Sequence, residues 1–329
     1  MPMTEAVVVP KGGGWLLDTA APADVFTPER FTEEHRLILQ TADEFMETEV
    51  LPNIDRMEQK DWAFVRGLIR RCGELGLLGA DTPESLGGVW LDKVSSVIIS
   101  ERMGRNASFA TTFGAETNLS VISILLFGTD EQRQRYVPRL VSGELVGAYA
   151  LSESGAGSDP MSGKARADRQ ADGSYVLNGE KMWITNGGFA DVITVFVKVD
   201  GQHFTAFIVE RAWPGVSTGK EEHKLGILGS STTPIVLQDV RVPASAVLGE
   251  VGKGHRVAFN VLNFGRLKLG ASCTGGAIHV VGEAARYAAT RQQFGRPIAS
   301  FGAVRHKLGQ MTARLYAMES LLYRTAGLL

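Results

Sequence analysis

Apolar side chains recur at helical spacing through residues 29–145, switch to alternation near Gly147, and return to helical spacing near Lys253. Leu37, Ile38, Thr41, Phe45 and Met46 share one face of a helix predicted over residues 32–50, with Pro52 marking its stop. Phe64, Val65, Leu68, Cys72 and Leu75 form the stripe of a second helix over 61–76, near whose end stands Gly76. Residues 91–103 and 116–127 are apolar and helix-compatible, and Thr129-Asp130-Glu131-Gln132 is a capping-box string opening a helix to Val141.

The alternating stretch reads as β-structure. Tyr175–Ile184 predicts a hairpin turning at Asn178-Gly179, and Val192–Val199, His203–Val209 and Ile235–Val242 are further strands, together a small barrel or sandwich. Beyond Lys253 one long helix is expected to Arg291 and a second from Ser300 to Leu329. The second carries an a/d seam of Val304, Leu308, Met311, Leu315, Met318 and Leu322, as in a helical bundle. It reads as reaching Leu329 without a terminating signal, and two long apolar-faced helices call for more packing partners. The expectation is therefore an α+β multidomain chain: a tail over 1–28, an N-terminal all-α domain over 29–145, a central β domain over 146–250, and a partial C-terminal helical bundle over 251–329, completed by further sequence or a partner chain.

Composition narrows the function classes. Net charge is −2, so neither nucleic acid nor an anionic membrane is an expected partner. The two cysteines, Cys72 and Cys273, lack CxxC spacing, and the six histidines make no metal-ligand pattern or triad; no metal is expected. Val7–Val9 is too short for a signal segment, no apolar run is read as long enough to span a bilayer, and a cytoplasmic location is expected.

Four segments carry candidate chemistry. Tyr149–Asp159 combines Ser152 and Ser158 with Gly155 and Gly157, whose bare backbones allow close approach of a ligand, or is an ordinary Ser/Gly loop joining a strand to a hairpin, the reading composition alone favours. Trp183-Ile184-Thr185 would place an aromatic wall and a hydroxyl on one strand face, or be a buried Trp with a cross-strand Thr partner. Arg291 and Phe294, between the long helices, could hold a phosphate and stack on a purine, or merely end a helix. Asn263 and Arg266 fall near one helix face and could present an amide and a cation to a nucleotide, or be a solvated surface.

Together with Asn178-Gly179-Glu180-Lys181, Asp239–Pro243, Leu248–Gly254 and Arg291–Gly295, these strings resemble, in order, the acyl-CoA dehydrogenase family over residues 30–329. Phe204–Arg211 and Leu228–Thr233 look most like its very-long-chain branch, in bacterial members with an extra C-terminal region. The resemblance implies FAD bound by Tyr149, Leu151, Ser152, Gly157, Ser158, Trp183, Ile184 and Thr185, with Arg291 and Phe294 reaching the FAD of a neighbouring subunit. It implies acyl-CoA contacts from Ser158, Asn263 and Arg266, a homodimer or tetramer, and electron transfer to an electron-transfer flavoprotein.

The implied reaction is α,β-dehydrogenation of a long-chain acyl-CoA to the trans-2-enoyl-CoA, the first step of β-oxidation. It needs a carboxylate to take the α-proton. This chain has no Tyr-Glu-Gly-like motif, and Gly265 stands before Arg266 where a minority of the family carries the acid. Glu153, Glu180 and Glu250 match non-catalytic positions, so no catalytic residue is assigned and the base is expected outside this chain. The rivals are a flavin- or acyl-CoA-binding scaffold without catalysis and an acyl-CoA oxidase.

Overall fold

The computed structural model describes residues 14–17 and 19–329. Val7–Val9 lies outside the described residues. The helical first part comprises α1 (Glu33–Phe45), α2 (Ile54–Glu58), α3 (Trp62–Glu74), α4 (Lys93–Met103), α5 (Ala107–Gly114), α6 (Ile122–Phe127) and α7 (Asp130–Val141). Thr129 caps α7 through the reciprocal bonds with Gln132 that its sequence predicts. Thr32 and His35 form an equivalent box at α1, with an imidazole nitrogen in place of the usual carboxamide.

Two expected boundaries move. The first helix does not stop at Pro52: a π-helical turn over Met46–Val50 and a 3-10 turn over Leu51–Asn53 carry the chain onward, with Pro52 in the short turn where its missing N–H is tolerated. Likewise α5 runs through a π-helical turn, Ala115–Val121, directly into α6. The resulting 21-residue helix 107–127 passes the length and apolarity test for a membrane span, contrary to the sequence reading. It is a core helix, 67% buried in the protein.

The β part is one eight-stranded sheet. Its strands are β1 (Gly147–Ala150), β2 (Arg166–Arg169), β3 (Tyr175–Thr185), β4 (Val192–Val199), β5 (His203–Glu210), β6 (Val216–Thr218), β7 (Thr232–Val242) and β8 (Val247–Leu248), in the order β6-β7-β3-β2-β4-β5-β8 with β1 parallel to β4. The hairpin expected at Asn178-Gly179 is absent, because β3 runs straight through it. The Asn-Gly pair instead makes a bulge in the pairing of β3 with β7. Gly179 sits at φ 144°, pressed against Ala165, and the Asn178 side chain bonds both the side chain and backbone of Asp239 across the ladder. Tertiary pairing with β7 thus overrides the local turn preference.

The long helix α8 (Gly254–Thr290) is followed by the small hairpin of β9 (Gln292–Gln293) and β10 (Arg296–Pro297), then by α9 (Gly302–Ala326). Contrary to the sequence reading, α9 ends at Ala326 with Gly327 at its C-cap and Arg324 in its last turn. Arg324 also bonds the carbonyl of Trp15, a buried residue of the N-terminal stretch.

One apolar core joins the helical part to the sheet and the start of α8, through Phe45, Phe109, Phe196, Phe204 and Val257. A second fills the sheet, and a third locks α4 to α8 and α9. Where α4 crosses α8 the backbones touch: a Cβ on Gly275 would overlap the Glu101 carbonyl, and one on Gly104 would overlap Ser272. We expect Gly275→Ala to destabilise by about 1–3 kcal/mol through overpacking. Urea unfolding would check this, and a wild-type midpoint would refute it.

This crossing carries a buried ion cluster. The Asp81 carboxylate accepts from Lys93 Nζ at 2.5 Å and from Lys268 Nζ, and both Asp81 and Lys268 are buried. Burial alone would raise the Asp81 carboxyl, but the Lys268 and Lys93 ammoniums outweigh it and hold the pKa at about 2.

Candidate active site

The Tyr149–Asp159 segment begins on β1 and leaves the sheet after Ala150. Tyr149 is buried, its hydroxyl 3.3 Å from the Ala258 carbonyl, while Leu151 and Ser152 are half-buried. Glu153 and Ala156 exchange backbone bonds, making a tight turn that lifts Ser154, Gly155, Gly157 and Ser158 into the open. Among the described residues, nothing lies within 4 Å of where a side chain on Gly155 or Gly157 would begin.

Glu153 anchors this loop. It receives Lys181 Nζ at 2.7 Å and the backbone N–H groups of Lys164 and Ala165, while Lys181 also donates to the Leu151 carbonyl. Burial raises the Glu153 carboxyl, but the bond from Lys181 and the backbone donors bring it below its ordinary value. The pair ties the Ser152 loop to β3, where Met182 N donates to the Ser152 carbonyl. The sequence reading treated Glu153 as non-catalytic, and the geometry gives it this positioning role.

Strand β3 is not regular where it carries the candidate residues. Its register against β7 shifts between Lys181 and Ile184, and Trp183 lies at φ 59°, a conformation rare for a bulky residue. Ile184 points into the core, whereas Trp183 is 53% exposed and Thr185 is half-buried. A large indole is thus held in a strained backbone and left half in the open.

The turn after Thr185 is fixed on every side. Asn186, at φ 63°, donates from Nδ2 to the carbonyls of Thr112 and Gly147. Arg66 donates to the Phe189 carbonyl at 2.6 Å, and Arg211 donates to the carbonyls of Gly187 and Ala190. Glu116, on the π-helical turn, closes the network: its Oε2 accepts from Gly147 N at 2.5 Å. The free side of β1 at Gly147 is therefore sealed by two side chains instead of a strand. Glu116 Oε1 and Asn186 Oδ1 are both buried and have no hydrogen-bond partner among the described residues. Burial pushes the Glu116 carboxyl up to about 8, with Asp191 adding to the rise and the Gly147 N–H and Arg66 opposing it.

Thr185 opens onto a cavity of about 460 Å³ between the 107–127 helix and α8. Leu119, Leu262 and Leu269 line it, with glycine or alanine at positions such as 107, 110, 114 and 265. Arg266 reaches the same cavity and donates to Asn263 Oδ1 at 2.9 Å. So Thr185, Arg266 and Asn263 come together, and Trp183 and Ser152 lie on the adjoining segments. Arg291 and Phe294 do not join them: Arg291 is the exposed C-cap of α8, and Phe294 sits in the β9–β10 turn at φ 51° and 91% exposed. Gly157 and Ser158 are on the open loop.

Family models for the N-terminal, middle and C-terminal domains of acyl-CoA dehydrogenase match residues 32–144, 148–240 and 252–329. An acyl-CoA dehydrogenase of Bacillus subtilis is 37% identical over 302 residues, covering 90% of this chain and 79% of that protein. The chain belongs to the acyl-CoA dehydrogenase family.

A probable acyl-CoA dehydrogenase of Bacillus subtilis is 49% identical over 98% of this chain, which spans only 55% of that relative's length. The crystal structure of an acyl-CoA dehydrogenase complexed with FAD from Bacillus anthracis superposes with a TM-score of 0.94 at 50% identity, covering 96% of this chain and 55% of that one. These names reach the family without singling out its very-long-chain branch. The three-part architecture of helical domain, β domain and helical domain is that of the family.

Sequence reasoning missed Glu116, Asn186 and Arg211. Glu116 had a signal, being the lone charge in the stretch 107–127. Asn186 and Arg211 stood in or beside strings noted for their resemblance, but their bonds could not be read there, since their partners are distant in sequence.

Proposed function

We propose that this chain forms the FAD- and acyl-CoA-binding part of an acyl-CoA dehydrogenase acting on long acyl chains. The observation that carries the reading is Trp183, a strained and half-exposed indole beside Thr185 at the head of an apolar cavity. The residues present fit a flavin: a flat aromatic wall, a hydroxyl, and an open cradle at Gly155 and Gly157 that side chains would narrow. When bound, FAD supplies a two-electron acceptor.

In this reading Trp183 flanks the ring, the hydroxyls of Thr185 and Ser152 hydrogen-bond its polar edge, and Tyr149, Leu151 and Ile184 shape the wall behind. Gly157 and Ser158 meet the cofactor or the nucleotide of the thioester, and Asn263 with Arg266 binds that nucleotide at the cavity mouth. The largely apolar wall packs against the acyl chain in this reading, and its many small side chains leave room for a long one. Among the described residues lining the cavity none carries a carboxylate, and Gly265 stands beside Arg266. The proposal therefore places the α-proton acceptor outside this cavity wall. Exposure of Arg291 and Phe294 supports contact with the FAD of a second copy, and electrons would leave to an electron-transfer flavoprotein.

Trp183→Ala is expected to weaken FAD binding about tenfold or more, losing the ring contact, with Thr185→Val a few-fold weaker. Flavin fluorescence titration would check both, and unchanged affinity would remove them from the site. Anaerobic addition of palmitoyl-CoA tests the reading as a whole: bleaching of the flavin absorbance supports a dehydrogenase, bound flavin that never bleaches fits an enzyme whose base lies in further sequence or a scaffold, which adding back that sequence separates, and rapid reoxidation in air supports an oxidase.

A further inference from the structure

The cavity wall contains one amide that the protein leaves unanswered. Asn118, on the π-helical turn, is only 6% exposed yet lines the cavity. Its Oδ1 is 3.0 Å from Thr117 Oγ1, and among the described residues its Nδ2 has no hydrogen-bond partner. Of the hydroxyls on the wall, Thr111 donates to the Ala107 carbonyl and Ser272 to that of Ser100, while that of Thr185 is taken by the flavin in the proposed reading. Arg266 is taken up by Asn263.

Two features aim the Asn118 amide at whatever occupies the cavity. The π-helical turn inserts an extra residue per turn, so Asn118 joins Ala115 and Leu119 on the cavity side. Gly114, one turn earlier, leaves the amide uncovered: a Cβ there would lie 3.3 Å from Asn118 Nδ2. A helical side chain leans toward the N-terminus of its helix. The amide therefore points from the level of Leu119 and Gly265, which pack against each other, toward the end where Gly104 meets Ser272.

The hydrogen count sets the chemistry of the missing partner. Thr117 Oγ1 also lies 2.9 Å from the Phe113 carbonyl, and a hydroxyl has a single hydrogen. If that hydrogen goes to Phe113, the amide turns over, donates to Thr117 and shows its oxygen to the cavity. Otherwise it shows its N–H. A hydroxyl group, both donor and acceptor, answers the amide in either orientation.

We propose that Asn118 is a specificity residue that pairs with a hydroxyl carried on the acyl chain, so that the preferred ligands are hydroxyacyl thioesters rather than plain alkyl ones. The inference rests on reading the cavity as an acyl site. The amide reaches about one helical turn, ~5.4 Å, inward from the Gly265 level, which places the hydroxyl a few carbons beyond the reacting pair.

Calorimetric titration of the FAD-loaded protein with dodecanoyl-CoA and with 4-, 5- and 6-hydroxydodecanoyl-CoA tests it. One hydroxylated member should bind about tenfold tighter than dodecanoyl-CoA, the size of effect a satisfied buried amide gives. Asn118→Leu should abolish that preference, bringing the hydroxylated members to the affinity of dodecanoyl-CoA, and Gly114→Ala, which covers the amide, should abolish it too. Dodecanoyl-CoA binding with no preference for any hydroxylated member overturns the inference alone, as does a preference that survives both substitutions. Failure of dodecanoyl-CoA itself to bind overturns the acyl-site reading and the inference with it.

Discussion

Asp81→Asn is expected to cost about 3–5 kcal/mol of folding stability at pH 7, the penalty for stripping one partner from a buried ion cluster. Asp81 is the sole carboxylate bonded to both Lys93 and the buried Lys268 among the described residues. Without its charge two ammoniums face each other at the junction of the N-terminal helices with α8. The pH dependence has a definite sign. The carboxyl is held at about 2 in the folded protein against an ordinary 3.8, so its contribution is complete above pH 3.8 and is lost as pH falls toward 2. Urea denaturation should therefore show a wide gap between wild type and variant at neutral pH that narrows in acid. A gap below ~1 kcal/mol at pH 7, the range of an exposed ion pair, would mean that solvent reaches the cluster.

Glu116→Gln should act in the opposite sense, stabilising the protein as pH rises. The folded Glu116 carboxyl lies at about 8 against an ordinary 4.5, because burial penalises its charge. Each unit of difference corresponds to ~1.4 kcal/mol, so wild type loses stability progressively from pH 4.5 to pH 8, by about 3–5 kcal/mol in all. Glutamine stays neutral, can accept from Gly147 N as Glu116 Oε2 does, and brings a donor to the buried side where Asn186 Oδ1 lacks one. The two proteins should be equally stable near pH 4.5, and the variant should be the more stable by several kcal/mol at pH 8. Parallel pH profiles would show that Glu116 ionises as freely in the fold as in the unfolded chain.

Much of this organisation is legible in the sequence because it depends on local periodicity. The stripes of α1 and α3, the Thr129 box of α7 and the long run of α8 all write their pattern within a few turns of chain. What the sequence misstates depends on distant partners. Asn178-Gly179 carries the local signature of a turn, yet pairing with β7 and the bonds to Asp239 make it a bulge. The two π-helical turns leave the periodic pattern almost intact and are invisible to it, although one of them brings Asn118 and Glu116 to their places. At the site, Trp183 and Thr185 are recognisable from residue type, but the strained backbone that displays the indole is set by a register shift against a strand some fifty residues away. Lys181 lies in a string matched for its resemblance alone, and its bond to Glu153 emerges only when β3 and the Ser152 loop meet.

The clamped turn from Asn186 to Ala190 makes the two sides of the cleft unequal in their capacity to change. On the sheet side, backbone carbonyls are claimed by Arg66, Asn186 and Arg211, so a substitution there disturbs several bonds at once. On the helical side the wall is built of bare or nearly bare positions such as Ala110, Gly114 and Gly276, where a methyl more or less reshapes the cavity without touching that network. Descendants of this sequence can therefore diversify what they accommodate by drifting on one wall, while the other is inherited as a fixed frame.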